Sequence, residues 1–178
     1  TRVNAGDIVL KLDAGDFQLA VDAAKAKIET QQAVIVSIDK QIDAQGTQVS
    51  VAEAQLASAQ AAQTNASASA KRTQTLVTRG VSAQATNDSA VAALRQADAA
   101  VAQANAGIDA AKAQVEVLTA NRAQAEKTLD ELKTALAKAE RDLSFTEVKA
   151  PYNGVVANRA AEVGQYVQPG QRLMALVP

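Results

Sequence analysis

Large apolar residues recur every seven positions along this chain at Val21, Ile28, Ile35, Ile42, Val49 and Leu56; the row lapses at Gln63 and Ala70 and returns at Val77. A second row reads Leu94, Val101, Ile108 and Val115, is interrupted by Arg122, and resumes with Leu129, Leu136 and Leu143. A sustained seven-residue repeat keeps one apolar stripe facing one partner, so each row marks the seam of a long α-helix. The rows mirror each other: Val21 and Leu143, Ile28 and Leu136, Ile35 and Leu129, Val49 and Val115, and Leu56 and Ile108 are pairs whose numbers sum to 164. The mirror point, residue 82, falls in the turn signal Arg79-Gly80-Val81-Ser82. The pattern predicts one antiparallel coiled-coil hairpin that returns the second end of the chain to the first.

With the row residues taken as heptad position a, the d positions of the first helix are Ala24, Gln31, Ile38, Gln45, Ala52, Ala59, Ala66 and Thr73. Those of the second are Ala97, Ala104, Ala111, Leu118, Ala125, Leu132 and Ala139. The e positions of the first helix carry no large apolar residue, so the seam is narrow, as a two-helix partner requires. Small d residues allow the backbones close approach. Large residues thin out toward the turn, where less area is buried and the hairpin is expected to be softer. The first helix is expected from Phe17 to Thr78, roughly 90 Å at 1.5 Å per residue, with Asp16 as N-cap. Gly80 stands where a C-cap glycine belongs, Ser82 is placed to cap the second helix, and that helix should end near Phe145. Arg122 faces the row near Ile42, within a turn of Asp39 or Asp43, and an interhelical ion pair is expected there. Gly46 and Gly107 are candidate bending points, since glycine costs about 1 kcal/mol relative to alanine in a helix.

Composition narrows the function. The 178 residues contain no His and no Cys. The commonest general base, the commonest metal ligands, a thiol nucleophile and any disulfide are therefore absent. A net charge of -1 with no long basic run gives no argument for nucleic acid. Aromatics at 2% suit neither a deep core nor an aromatic-lined pocket. The carboxylates lie mostly on polar helix faces, where water and salt screen them, so no enzyme and no cofactor are expected. No apolar run is long enough to cross a bilayer. The chain opens Thr1-Arg2-Val3, and a membrane anchor is expected outside it.

The two ends carry one pattern twice. Val3-x-x-Gly6-x-x-Val9-Leu10-x-Leu12 matches Val167-x-x-Gly170-x-x-Leu173-Met174-x-Leu176. Two similar β half-units, one on each side of the hairpin, are expected to complete a small sheet domain between them. Strands are predicted within residues 8–12, 154–157, 165–167 and 172–177, with glycines at tight turns.

These residues resemble a known family. Ala150-Pro151-Tyr152-Asn153-Gly154-Val155-Val156, followed by Val163-Gly164-Gln165-Tyr166-Val167-Gln168-Pro169-Gly170-Gln171-Arg172-Leu173-Met174-Ala175-Leu176-Val177-Pro178, is similar to the second half of the biotinyl/lipoyl-like domain of bacterial periplasmic adaptors. These are the membrane fusion proteins of the HlyD family, and the closing residues look most like the EmrA-like branch. The resemblance covers both ends, and a helical hairpin between them is the family's arrangement. It implies a mainly α chain with a small β part. Residues 1–16 form a truncated first lipoyl half, 17–79 helix one, 80–82 the tip turn, 83–146 helix two and 147–178 the second lipoyl half. Gly6, Gly154, Gly164 and Gly170 are the expected turn glycines of the halves.

The resemblance further implies a periplasmic adaptor, anchored in the inner membrane, that joins a transporter to an outer-membrane TolC-type channel and assembles as a ring, often of six. For the EmrA-like branch the transporter is of the major facilitator class and the cargo is drugs. The family's tip motif is an Arg, a Leu four residues on and a Ser about eleven after the Arg. Arg72 and Leu76 match it, and Ser82 falls ten after Arg72, one short. Independently, no acid occurs from Ala54 to Asn87, whereas Lys71, Arg72 and Arg79 are basic. Two other readings stand beside this one: an adaptor of a type I export system with an ABC transporter, and a coiled-coil spacer without a channel partner. A lipoyl-type carrier would present a Lys in the turn between half-units. Here the hairpin takes that place, and Lys149 reads as a strand residue on a solvated face.

Overall fold

The computed structural model describes residues 1–168 and 170–178; Pro169, part of the closing motif, lies outside the described residues. Two short strands, β1 (Arg2–Val3) and β2 (Ile8–Lys11), precede helix α1 (Gly15–Thr78). After a five-residue connection come α2 (Gln84–Ser144) and the strands β3 (Glu147–Lys149), β4 (Gly154–Arg159) and β5 (Met174–Val177). The expected two-helix hairpin between small β segments is present. The chain divides into two compact units, residues 1–30 with 129–178, and residues 31–128.

In the 31–128 unit every a and d position of both helices is buried or half-buried, including Gln63 and Ala70, where the row of large residues lapses. Ala70 is only 8% exposed. The positions between are almost all exposed, so two residues per heptad face the partner. Ser and Thr survive on the outer faces because their hydroxyls donate back one turn, as Thr64 does to the Gln60 carbonyl (2.9 Å) and Thr119 to that of Val115 (2.8 Å).

The cross-helix contacts correct the register read from the apolar rows. Asp39 meets Arg122, Gln63 meets Asp98 and Asn87 meets both Thr73 and Gln74; these pairs sum to 160 or 161, not 164. In an antiparallel pair, an a residue faces a d residue of the other helix. Matching a with a overshoots by about half a heptad, and the mirror point moves from residue 82 to Gly80. The Arg122 ion pair is formed with Asp39 (2.6 Å) and is extended by Glu126 one turn on (2.7 Å), whereas Asp43 pairs with Lys40. The Asp39 hydrogen bond and the two carboxylates raise the Arg122 pKa above its ordinary value, so its charge persists at any working pH.

In the unit that holds both chain ends, Val21 is 2% exposed. α1 begins at Gly15, earlier than expected, and Asp16 is not its cap. The Asp13 carboxylate accepts the Gly15 N–H (3.0 Å), and the Ala14 carbonyl accepts that of Gln18 (2.8 Å). Asp16 lies inside the first turn, where a negative charge complements the helix dipole.

The two ends are joined strand to strand. β1, β4 and β5 form an antiparallel sheet in that order, with Val3 opposite Gly154 and Val155 opposite Val177. β2 pairs antiparallel with β3, placing Ile8 opposite Lys149 and Lys11 opposite Glu147. Backbone bonds from Gly6 to Ala150 (2.8 Å), from Ala150 to Asp7 (2.9 Å) and from Leu12 to Thr146 (2.8 Å) close the seam. The Asn153 amide oxygen accepts the Ala5 N–H (2.6 Å). Residues 165–167 do not form the expected strand, because hydrogen-bonded turns at 162–165 and 168–171 crowd them from both sides.

Three glycines predict opposite outcomes for one substitution. At Gly46 and Gly107 a Cβ would meet nothing, whereas at Gly154 it would collide with the Val177 carbonyl. Gly46→Ala and Gly107→Ala should each raise stability by about 0.5–1 kcal/mol in urea unfolding. Gly154→Ala should lower the midpoint, because the obstacle is backbone and β4 or β5 must shift.

Candidate functional site

The closed end of the hairpin is built by a complete C-terminal cap. Gly80 has φ +74°, the left-handed conformation that an L side chain resists. Its N–H donates to the Val77 carbonyl (2.9 Å), and the Val81 N–H to that of Leu76 (2.9 Å). These are the two bonds of a Schellman motif, with the glycine at the position after the cap. The turn therefore stops α1 at a defined residue. The second helix is not capped by Ser82, as expected, but starts at Gln84, with the Ala83 carbonyl accepting the Thr86 N–H (3.1 Å).

Arg72 and Leu76 stand four residues apart on the last turns of α1, hence on one face, and both are exposed. Ser82 lies in the connection and is half-buried. Among the described residues no side-chain hydrogen bond joins these three, and none of Lys71, Arg72 or Arg79 is ion-paired. The face is therefore cationic and unneutralised, with Leu76 and Val81 as exposed apolar neighbours.

A residue that the sequence reading passed over sits in the seam behind this face. Asn87 is 5% exposed: its amide nitrogen donates to Gln74 Oε1 (2.9 Å), and its amide oxygen lies 3.2 Å from the Thr73 hydroxyl, whose one hydrogen it shares with the Ala70 carbonyl at 3.0 Å. The signal was available, since Asn87 stands seven residues before Leu94, at an a position.

At the chain ends, Gly6, Gly164 and Gly170 occupy turns with φ of +93°, +85° and +83°. Gly154 does not: it is the first residue of β4, and glycine is needed there for the close approach of Val177. The three turns share one device. Asp7, Gln165 and Gln171 each donate a backbone N–H to the residue three before, while their side chains accept that residue's N–H (2.8, 3.1 and 3.0 Å). A positive φ at the third residue makes the turns at 4–7 and 162–165 type II. Lys149 lies in β3, exposed and paired with Ile8, and is not at a turn. Among the described residues no group of His, Cys, Asp or Glu is placed to hold a metal ion, and no helix is long and apolar enough to cross a membrane.

Residues 48–119 match the family described as "RND MFP, alpha-helical hairpin domain". The whole chain superposes on the structure of the periplasmic adaptor protein EmrA with a TM-score of 0.53 at 20% identity, covering 100% of this chain and 65% of that one. The chain has the fold of that adaptor over its whole length, and its hairpin segment matches the membrane fusion protein hairpin model. A segment of 36 residues is 50% identical to the probable multidrug resistance protein EmrK of Escherichia coli (strain K12), 20% of this chain and 9% of that one. MacA from Actinobacillus actinomycetemcomitans aligns over 99% of this chain and 42% of that one, with a TM-score of 0.44 at 20% identity. The matched membrane fusion protein segment contains the whole cap and the Arg72–Leu76 face. Gly80→Ala should cost about 1–2 kcal/mol, the strain of a left-handed L residue. Urea titration followed by helical circular dichroism measures it.

Proposed function

We propose that this protein is a periplasmic adaptor subunit of a tripartite drug-efflux pump. It couples an inner-membrane transporter of the major facilitator class to an outer-membrane TolC-type channel, with cargo of the kind implied by the name of its multidrug-resistance relative. Residues 1–16 and 147–178 act as paired lipoyl halves through which copies of the chain assemble as a ring. Inner-membrane anchoring is supplied by a segment outside residues 1–178. The protein's contribution is mechanical, without catalysis or cofactor: a two-helix hairpin presents its tip for helix-to-helix docking, while its base surrounds a conduit.

The observation that supports docking most directly is the exposed Arg72–Leu76 face. It is held at a defined distance from the Gly80 cap and lacks any carboxylate partner among the described residues. A cation over an apolar contact suits a partner surface that carries a carboxylate beside an apolar groove. Ser82, in the connection itself, would contact the same partner.

Arg72→Asp inverts the charge at an exposed helix position and leaves the seam untouched. In cells lacking the chromosomal adaptor, this variant should abolish drug resistance while the purified protein keeps its helicity. Full resistance with Arg72→Asp would rule out docking through this face. A cysteine at Ser82 should crosslink to the TolC-type channel in cells, in a chain that otherwise has no cysteine.

A further inference from the structure

The tip third of the hairpin has a seam that by itself does not define one register. Its d positions on α2 are Ala90, Ala97 and Ala104, and its a and d positions on α1 include Ala59, Ala66 and Ala70. A slip of one heptad confined to this third, absorbed by a stutter further down, replaces alanine with alanine and keeps Val77 against an alanine. Hydrophobic packing alone gives such a slip little penalty. The Arg122 triad lies far along the sequence from the turn and does not police it.

We infer that Asn87 is a register pin, a positioning residue that acts with the Gly80 cap to decide how the two helices align at the apex. Three observations carry this. Asn87 is the only buried polar residue within the two helices among those described. Both functional groups of its amide lie within hydrogen-bond distance of the opposite helix, the nitrogen of Gln74 Oε1 and the oxygen of the Thr73 hydroxyl. Thr73 is the sole d position of α1 after Gln45 with a polar side chain, so every slipped register denies the amide oxygen that hydroxyl, although Ser67 or Gln60 takes the place of Gln74 when the slip runs down α1. A single polar residue at an a position trades stability for a unique alignment. Gln63 donating to Asp98 (2.8 Å) supports the same register from the lower side, but Asp98 is exposed and water competes for it.

The consequence for the tip rests on the docking reading above, although the pin itself does not. A slip of one heptad would move the turn by about half a heptad along the sequence, carrying Arg72 and Leu76 away from their present distance to the apex. The pin holds the docking face at a fixed height.

The test uses the chain without any channel, so its result is independent of whether the tip docks. Cysteine pairs Ala70→Cys with Ala90→Cys and Ala70→Cys with Ala97→Cys report the native and the slipped register, because the first pair sums to 160 and the second to 167. The parent sequence has no cysteine, and each pair is oxidised and read by mass spectrometry. With Asn87 present, the native pair should close at least tenfold faster than the slipped pair. In Asn87→Leu that ratio should fall toward unity, while the thermal midpoint rises because a buried amide has been replaced by apolar surface. Thr73→Val should shift the ratio the same way, and Thr73→Ser, which keeps the hydroxyl, should restore it. A merely structural role would lower the midpoint and leave the ratio alone. An unchanged ratio in a helical Asn87→Leu protein overturns the proposal, and Asn87→Ala provides the same reading should the leucine variant aggregate.

Discussion

The structure depends on one contact repeated many times, an a residue of one helix set against a d residue of the other. Each such layer is small, commonly a branched residue on one side and an alanine on the other, as with Ile35 and Ala125, which are both buried. One layer buries little area, and at about 25 cal/mol per Å² it contributes little. What the small d residues provide is proximity: the backbones come close enough for side chains such as Gln31 to reach a backbone carbonyl across the seam. A narrow stripe with polar flanks also limits partners to one, because neither helix offers a second apolar face.

The β segments follow from this. Strands of two to six residues do not hold themselves together in water. Leu12 and Thr146 are hydrogen-bonded although 134 positions separate them in sequence. For a flexible chain, closing such a loop would cost about 4 kcal/mol or more in entropy. Two paired helices remove most of that freedom by another route, and the ends need only a few backbone bonds to lock. The turns with their side-chain bridges stiffen what remains. Asp7, Gln165 and Gln171 each satisfy two backbone groups that a short strand would otherwise leave to water.

The seam was legible in the sequence residue by residue, since a period of seven has one structural solution in a long helix. The register was not. Periodicity identifies which residues face the partner, but the half-heptad offset of an antiparallel pair comes from how side chains interdigitate. Asp16 looked like a cap because it adjoins the first apolar residue. Asp13 takes that part because Gly15 can begin the helix, and two acids so close together cannot be ranked by pattern. Gly154, in the run Pro151-Tyr152-Asn153, resembles a turn glycine, yet its reason lies in Val177, 23 positions on, which no local pattern discloses. A row defined by large apolar residues omits Asn87. It nevertheless stands at the row's spacing, where an unlike residue carries most information.

The softness of the tip and the specificity of the tip are two sides of one composition. Replacing alanines with leucines there would bury more area and hold the helices more tightly, but it would widen the seam and turn Arg72 and Leu76 relative to the axis on which they sit. Alanine keeps the end slender, and it leaves the register to be set by something other than bulk. Hydrogen bonds can do this because they are directional: only one alignment gives the amide both Thr73 and Gln74. A slender end with defined height needs that kind of contact, and in this seam Asn87 is where the chain places it.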